Sequence, residues 1–467
     1  NEYKLVSRKI GWCGIENLVS GDLNNDGKMD LVINGTDRQL VVYLNTGTDF
    51  TEAYRMNSNG LTKSKLKIVD INNNGLKEVM YAGMTSSLSD GVPELYAIEW
   101  NTQTSSLGLR DESSKIVSLK NAVYDFGDYD KDGKVDFILS GSGNLGVRTI
   151  LYKNATPPGS AMSLSAMSDV LPRITKGTVD FVDYDGDGDE DLLFTGTSTS
   201  GNIFQIHSNN LGSGGGFSSI QANLDAIEDS NLNYGDFNGD GYMDIFYSGM
   251  KAGTGKITRL AQYNPTTKNY GLSSFDYGNV TDGEVAFGDI DGDGDLDMVL
   301  GGNNVSNINS KIFRVLLNVR NESAAVDALD LKPSSLLANM TETTSIQAIS
   351  SFTSNNALTS NSAPKAPILK SLVTATEGTQ KLLHFMWNAT TDDNTPSSGL
   401  TYSLRVGTAA DTDNILSANA DKSGFIKVPS VGNVSGNLEW KLQMLPDGVY
   451  YWSVQAVDAS FVGSAFS

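Results

Sequence analysis

The chain has 467 residues, with 34 Lys+Arg against 55 Asp+Glu and a formal net charge of −21. So acidic a balance excludes nucleic acid and anionic membrane surfaces as partners, since both are held by Lys and Arg displacing counterions, and no apolar run approaches the ~20 residues of a membrane span. Cys13 is the single cysteine and His207 and His384 are the two histidines, which excludes internal disulfides, zinc fingers, CxxC redox chemistry and multi-histidine metal catalysis.

Apolar segments are short and bounded by Gly, Asn and Asp, as expected of many strands joined by turns. The opening "NEYKLVSRKI" lacks the apolar core of a signal peptide, so an exported chain is expected to have shed its leader already. The stretch "EYKLVSRKI" resembles an outer strand without a sheet of its own and is expected to complete the last one.

From Asp22 onward a string D-x-(D/N)-x-(D/N)-G-x-x-(D/E) occurs six times, starting at Asp22, Asp70, Asp128, Asp183, Asp236 and Asp289, with spacings of 48, 58, 55, 53 and 53 residues. After each copy comes an apolar run ending in Gly, such as "FILSG" or "LLFTG", and then a second run ending in Asn, such as "TILYKN". Each unit therefore reads as strand, acidic loop, strand, loop, strand and a ragged outer strand, close to the length of one four-stranded blade. Runs that are continuously apolar belong to strands covered on both faces. Units covering each other side by side and closing into a ring give a β-propeller; a linear β-solenoid is the rival, with shorter repeats. The fold class is all-β: a propeller of six motif-bearing blades over 1–320, with a degenerate seventh as alternative. A Ser/Thr/Asn-rich linker is expected over 321–364, and a β-sandwich of about seven strands over 365–467, with Trp387 and Trp452 in its core.

The acidic loops have the chemistry of a hard-cation site. Ca²⁺ takes about six to eight oxygens. Carboxylates or amides at positions 1, 3 and 5 alternate inward, and Gly at position 6 turns the chain so that the position-7 carbonyl and position-9 carboxylate return to the same ion. In an EF-hand the closing carboxylate comes at position 12 and a helix follows; here it comes at position 9 and a strand follows. The expected ligands are Asp22, Asn24, Asp26, Lys28 and Asp30; Asp70, Asn72, Asn74, Leu76 and Glu78; Asp128, Asp130, Asp132, Lys134 and Asp136. In the later copies they are Asp183, Asp185, Asp187, Asp189 and Asp191; Asp236, Asn238, Asp240, Tyr242 and Asp244; and Asp289, Asp291, Asp293, Asp295 and Asp297. Turns of this composition can cap hairpins unaided, but that does not account for three or four carboxylates recurring in register. Without a cation they are expected to repel one another strongly. The Asp70 loop, with two carboxylates, is the weakest site, so about five or six Ca²⁺ ions are expected, holding the fold together rather than catalysing.

On these motifs, residues 1–320 resemble the FG-GAP/VCBS repeat family, the integrin α-subunit type of propeller, and also calcium-binding propeller lectins of fungi. The ending "NTPSSGLTYSLRVGT … LPDGVYYWSVQAVDASFVGSAFS" resembles the fibronectin type III-like module of secreted, cell-surface proteins of Bacteroidetes-type bacteria. The resemblance implies that the acidic-loop residues bind Ca²⁺ and that recognition lies on the opposite face.

The function expected is that of a secreted, cell-surface binding or adhesion protein that is stabilised by calcium and meets a protein or glycan partner. The variable segments "MTSSLSDGVPE", "GTSTSGN", "GMKAGTGK" and "GGNNVSNINS" are candidate contact loops, and Trp12 is a candidate for sugar stacking. The alternative is a self-assembling subunit of a surface filament or sheath. A polysaccharide-active enzyme is the third reading; with no S-x-D-x-G-x-T-W box or G-x-S-x-G elbow, no catalytic residue is assigned.

Overall fold

The computed structural model describes residues 15–35, 38–56, 61–85, 93–167, 171–220, 222–273, 280–290, 295–304, 307–318, 345–346, 350–352, 361–377 and 380–467. Cys13, Trp12 and the N-terminal strand expected to complete the last sheet lie outside them, as does most of "MTSSLSDGVPE".

Antiparallel sheets follow one another along the chain. The first holds β1 Ile15–Gly21, β2 Asp30–Gly35, β3 Leu40–Asn45 and β4 Phe50–Met56. The second holds β5 Thr62–Val69, β6 Glu78–Met84, β7 Pro93–Asn101 and β8 Ser106–Asp111, and the third β9 Lys120–Gly127, β10 Asp136–Gly143, β11 Gly146–Asn154 and β12 Leu164–Ala166. The fourth has β13 Thr175–Val182, β14 Asp191–Ser198, β15 Gly201–Ser208 and β16 Ser218–Ile220, and the fifth β17 Ile227–Gly235, β18 Asp244–Lys251, β19 Gly255–Asn264 and β20 Asn269–Leu272. One pair, Ile203 with Ile227, joins these two. In the sixth, β21 Val280–Gly288, β22 Asp297–Asn304 and β23 Asn307–Asn318 are antiparallel, while β24 Ser345–Ile346 and β25 Ser350–Phe352 pair parallel to β23. The segment expected to be a linker thus adds strands to the sixth sheet.

The continuously apolar runs have a physical reason. Successive side chains of a strand point to opposite faces, and in β10 Phe137 and Leu139 enter a core shared with Met80, Ala82 and Leu95 of the second sheet, while Ile138 enters a core shared with Val179, Leu192 and Phe194 of the fourth. The same alternation builds cores between first and second, fourth and fifth, and fifth and sixth sheets. Ile33 and Val41, on the first sheet's other face, are fully buried as well. Every sheet needs its neighbours: truncating a residue such as Phe137 to alanine would cost about 3–5 kcal/mol.

The inner strands β1, β5, β9, β13, β17 and β21 adjoin one another in that order. They curve about a common axis, since Lys65 of β5 reaches both Asp125 of β9, at 3.1 Å, and Asp180 of β13, and Tyr234 of β17 donates its hydroxyl to Asp180. This is a β-propeller.

The C-terminal module is a two-sheet sandwich. β26 Val373–Glu377, β27 Gln380–Met386 and β29 Glu439–Gln443 form one sheet, and β28 Thr401–Gly407 with β30 Tyr451–Val457 the other. Phe385, Trp387, Leu404, Trp440, Leu442 and Val454 fill the space between, with Trp452 packed at its edge. Seven strands were expected; among the described residues there are five, and the runs around Ile426 and Gly463 make isolated bridges instead. Long connections take their place, and these lie on the propeller.

Candidate metal centre

Five acidic loops are described throughout. In the sixth, Asp289, Asp295 and Asp297 are described, and Asp291 and Asp293 lie outside. Each loop leaves the end of an inner strand and feeds the next strand of the same sheet, so all lie at one end of the propeller.

The local sequence makes the loop by hydrogen bonding its own backbone. The position-1 carboxylate accepts the N–H groups of positions 5 and 6: Asp132 and Gly133 donate to Asp128 at 3.1 and 2.9 Å, and Asp26 and Gly27 to Asp22 at 3.0 and 2.9 Å. The position-5 side chain accepts from position 7, as in Asp132 from Lys134 at 3.0 Å. Positions 4 and 6 are left-handed, with φ of 53° and 81° at Asn25 and Gly27 and 69° and 91° at Gly186 and Gly188. Only Asn, Asp and Gly take this conformation readily, and Lys131 at φ 58° is the exception.

The closing carboxylate holds the sheet together as well as the loop. Asp136 accepts from the backbone of Tyr129 at 3.2 Å and of Asn154 at 2.7 Å, and Asp191 likewise from Tyr184 and Asn209. The terminal Asn of the second apolar run then bridges sheets: Asn154 donates its side-chain amide to Ile71 O of the preceding loop, Asn209 to Tyr129 O and Asn318 to Phe237 O.

Asp128, Asp130 and Asp136 converge, as do Asp183, Asp185 and Asp187, with ligand atoms of each group within 4.8 Å of one another. Asp130 Oδ1, Asp185 Oδ1 and Asp189 Oδ1 are buried without a hydrogen-bond partner. Orphaned buried carboxylate oxygens are costly unless a cation meets them, so the third and fourth loops fit a hard divalent ion. Burial, more than mutual repulsion, is the chief penalty: with a smaller push from neighbouring acidic groups it raises Asp128 to about 7, Asp136 to about 9 and Asp191 to about 10. In the first and fifth loops Asp30 rises to about 6 and Asp244 well above the usual range, again mainly by burial.

The second loop differs. Asn72 Nδ2 donates to Glu78 Oε1 at 2.6 Å, Ile71 N–H occupies Glu78 Oε2, and Asn74 Nδ2 donates to Glu99. Arg110 from β8 spans Glu78 at 3.3 Å and Glu99 at 2.5 Å. A guanidinium there supplies positive charge from within the chain, as Lys153 does to Asp130 and Asp132 at the third loop, while the fourth keeps its converging carboxylates.

Two sets of residues escaped the sequence reading. Along the axis, Lys65, Lys67, Asp125, Asp180 and Tyr234 line a cavity of about 480 Å³ together with Val431 and Val434 of the C-terminal module. Against the burial that would raise it, Lys65 and Lys67 hold Asp125 below the usual carboxylate range. Charged residues within otherwise apolar inner strands were the available signal. The second set belongs to the C-terminal module, which sits on the acidic loops. Asn73 donates to Lys441 O and accepts from Gln443 N–H, Asn25 donates to Ile415 O, Lys427 donates to Gly27 O and Ser398 to Gly186 O. A Cβ at Gly75, Gly188 or Gly241 would stand 2.5, 2.5 or 2.1 Å from a carbonyl oxygen of Ile415, Ser398 or Asn394. The position-6 glycines therefore serve the turn and the docking of the module.

In comparisons with known proteins, residues 22–81, 183–247 and 236–300 match the FG-GAP-like repeat. No curated protein matches the chain. Among solved structures, one titled "Crystal structure of BBS1N in complex with ARL6DN, soaked with lead" is 13% identical with a TM-score of 0.37, over 61% of this chain and 76% of that one, too low a similarity to bear on function.

Proposed function

We propose that this chain of FG-GAP-like repeats is an extracellular, calcium-stabilised binding or adhesion protein. It meets a protein or glycan through the hairpins at the propeller end opposite the acidic loops. The supporting observation is that the chain's own C-terminal module already occupies the acidic-loop face, so the free end is the one with the β10–β11, β14–β15 and β18–β19 hairpins. At the first of these tips Leu145 is 88% exposed, an apolar side chain offered to water on a surface hairpin. Millimolar calcium outside cells suits sites of medium affinity, and among the described residues no helix is long and apolar enough to cross a membrane. No catalytic role is assigned.

Glycan and surface-protein arrays probed in calcium test this reading. A specific signal that is lost in Leu145→Asp supports it; blank arrays, or a signal indifferent to every hairpin substitution, refute it. Ile368, Leu372 and Val373 are exposed at and beside the edge strand β26, which favours self-assembly as the second reading; filaments visible by electron microscopy would establish it.

A further inference from the structure

We propose that the C-terminal module completes the metal loops from outside, so that calcium binding and docking of the module on the propeller are linked. Asn437 and Ser460 are the positioning residues. The inference rests on the calcium reading above and goes beyond it, because it gives the sandwich a task in ion binding.

The contacts fall on the first carboxylate of the third and fifth loops. Asn437 Nδ2 donates to Asp128 Oδ2 at 2.9 Å, and Asn437 itself is buried and anchored to Val434 O. Ser460 Oγ lies between Asp236 O, at 3.4 Å, and Asp236 Oδ2, at 3.5 Å, and Asp236 N–H donates to Ala459 O. At the first loop Ser417 donates its hydroxyl to Asp413 of its own module at 2.9 Å. In the third loop Asp128 Oδ2 thereby receives two donors, Gly133 N–H and the Asn437 amide, while Oδ1 accepts the N–H of Asp132, and the residue converges with Asp130 and Asp136.

Two consequences follow from ordinary electrostatics. Outer contacts that fix a ligand's orientation typically change metal affinity 10–100-fold. Coupling is reciprocal: an ion in the loops fixes the carboxylates the module binds, and so tightens its docking. Mutually repelling carboxylates, left without the ion, loosen the surface the module reads.

Calcium titration of the decalcified full chain tests this, in the wild type, Asn437→Ala, Ser460→Ala and the control Ser423→Ala, whose residue touches only its own turn. Asn437→Ala and Ser460→Ala are each expected to weaken one site 10–100-fold while the other sites and the control are unchanged. Small-angle scattering of the wild type is expected to show a larger radius of gyration after chelation, with the β-sheet circular dichroism retained. If both variants titrate as the wild type does, the linkage is refuted, and an unchanged radius after chelation refutes it too. Should chelation unfold the sheets, the titrations decide alone. A wild type that binds no calcium would overturn the calcium reading itself.

Discussion

The second and fourth acidic loops share one backbone and differ in what neutralises them. In the fourth, Asp183, Asp185 and Asp187 converge and two carboxylate oxygens, Asp185 Oδ1 and Asp189 Oδ1, are buried without partners. In the second, amides stand at positions 3 and 5, the closing residue is the longer Glu78, and Arg110 lies against it. The same turn, held by the same position-1 carboxylate accepting the same two N–H groups, can therefore accommodate either an external cation or a tethered internal one. Turn geometry is set by aspartate and glycine; ion demand is set by how many buried oxygens remain without a hydrogen.

The sharpest way to break this comparison is to remove calcium altogether. A site at a hundredfold excess of free calcium over its Kd adds about 2.7 kcal/mol of stability, so chelation of several sites is expected to lower the melting temperature more than any single substitution. Calorimetry in calcium and in chelator measures it; an unchanged Tm would mean that the fourth loop is no more dependent on an ion than the second.

Next in size is the pH dependence. Asp128, Asp136 and Asp191 have folded pKa values raised to about 7, 9 and 10 by burial, far above those of the unfolded chain. In the cation-free protein their contribution is fully present below about pH 4 and is lost as pH rises through about 7 to 10. The chelated chain is thus expected to melt higher at pH 6 than at pH 9, and the increment from added calcium to grow over the same range. An increment that shrinks with pH would contradict the assignment.

Arg110→Met separates the loops directly. It leaves Glu78 buried beside Glu99 without its guanidinium, and because Arg110 is one-third exposed the cost is discounted from the buried-pair range to about 1–2 kcal/mol. The loss is expected with and without calcium, whereas Asp183→Asn, which also takes one acceptor from the turn, is expected to destabilise more in calcium than in chelator and to lower the bound-ion count measured by mass spectrometry. Asp70→Asn is expected to leave that count unchanged. Smallest of all, Leu145→Asp is expected to shift stability by less than about 0.5 kcal/mol, which is what makes it a clean probe of the free face.

Much of this was legible in the residues. The sixfold period with its paired apolar runs determined the blades, because a strand that is apolar at every position must be covered on both faces, and Phe137, Ile138 and Leu139 show how two neighbouring sheets share that demand. The aspartates and glycines of each loop determined its turn, since the bonds that shape it link residues within a stretch of nine. Repulsion was over-weighted in that reading: desolvation depends on what packs around a carboxylate, which spacing does not show.

Tertiary structure alone decided the rest. That Arg110 of β8 reaches the second loop, that Lys65 meets Asp125 and Asp180 across the axis, and that the segment after Asn318 returns to pair with β23 are matters of how distant strands are brought together. The seating of the C-terminal module on the acidic loops is of the same kind: it depends on Asn437 meeting Asp128, more than 300 residues away in the chain. Local hydrogen bonds and periodic burial are written in short windows of sequence, whereas long-range contacts arise from surfaces that exist only once the windows have folded.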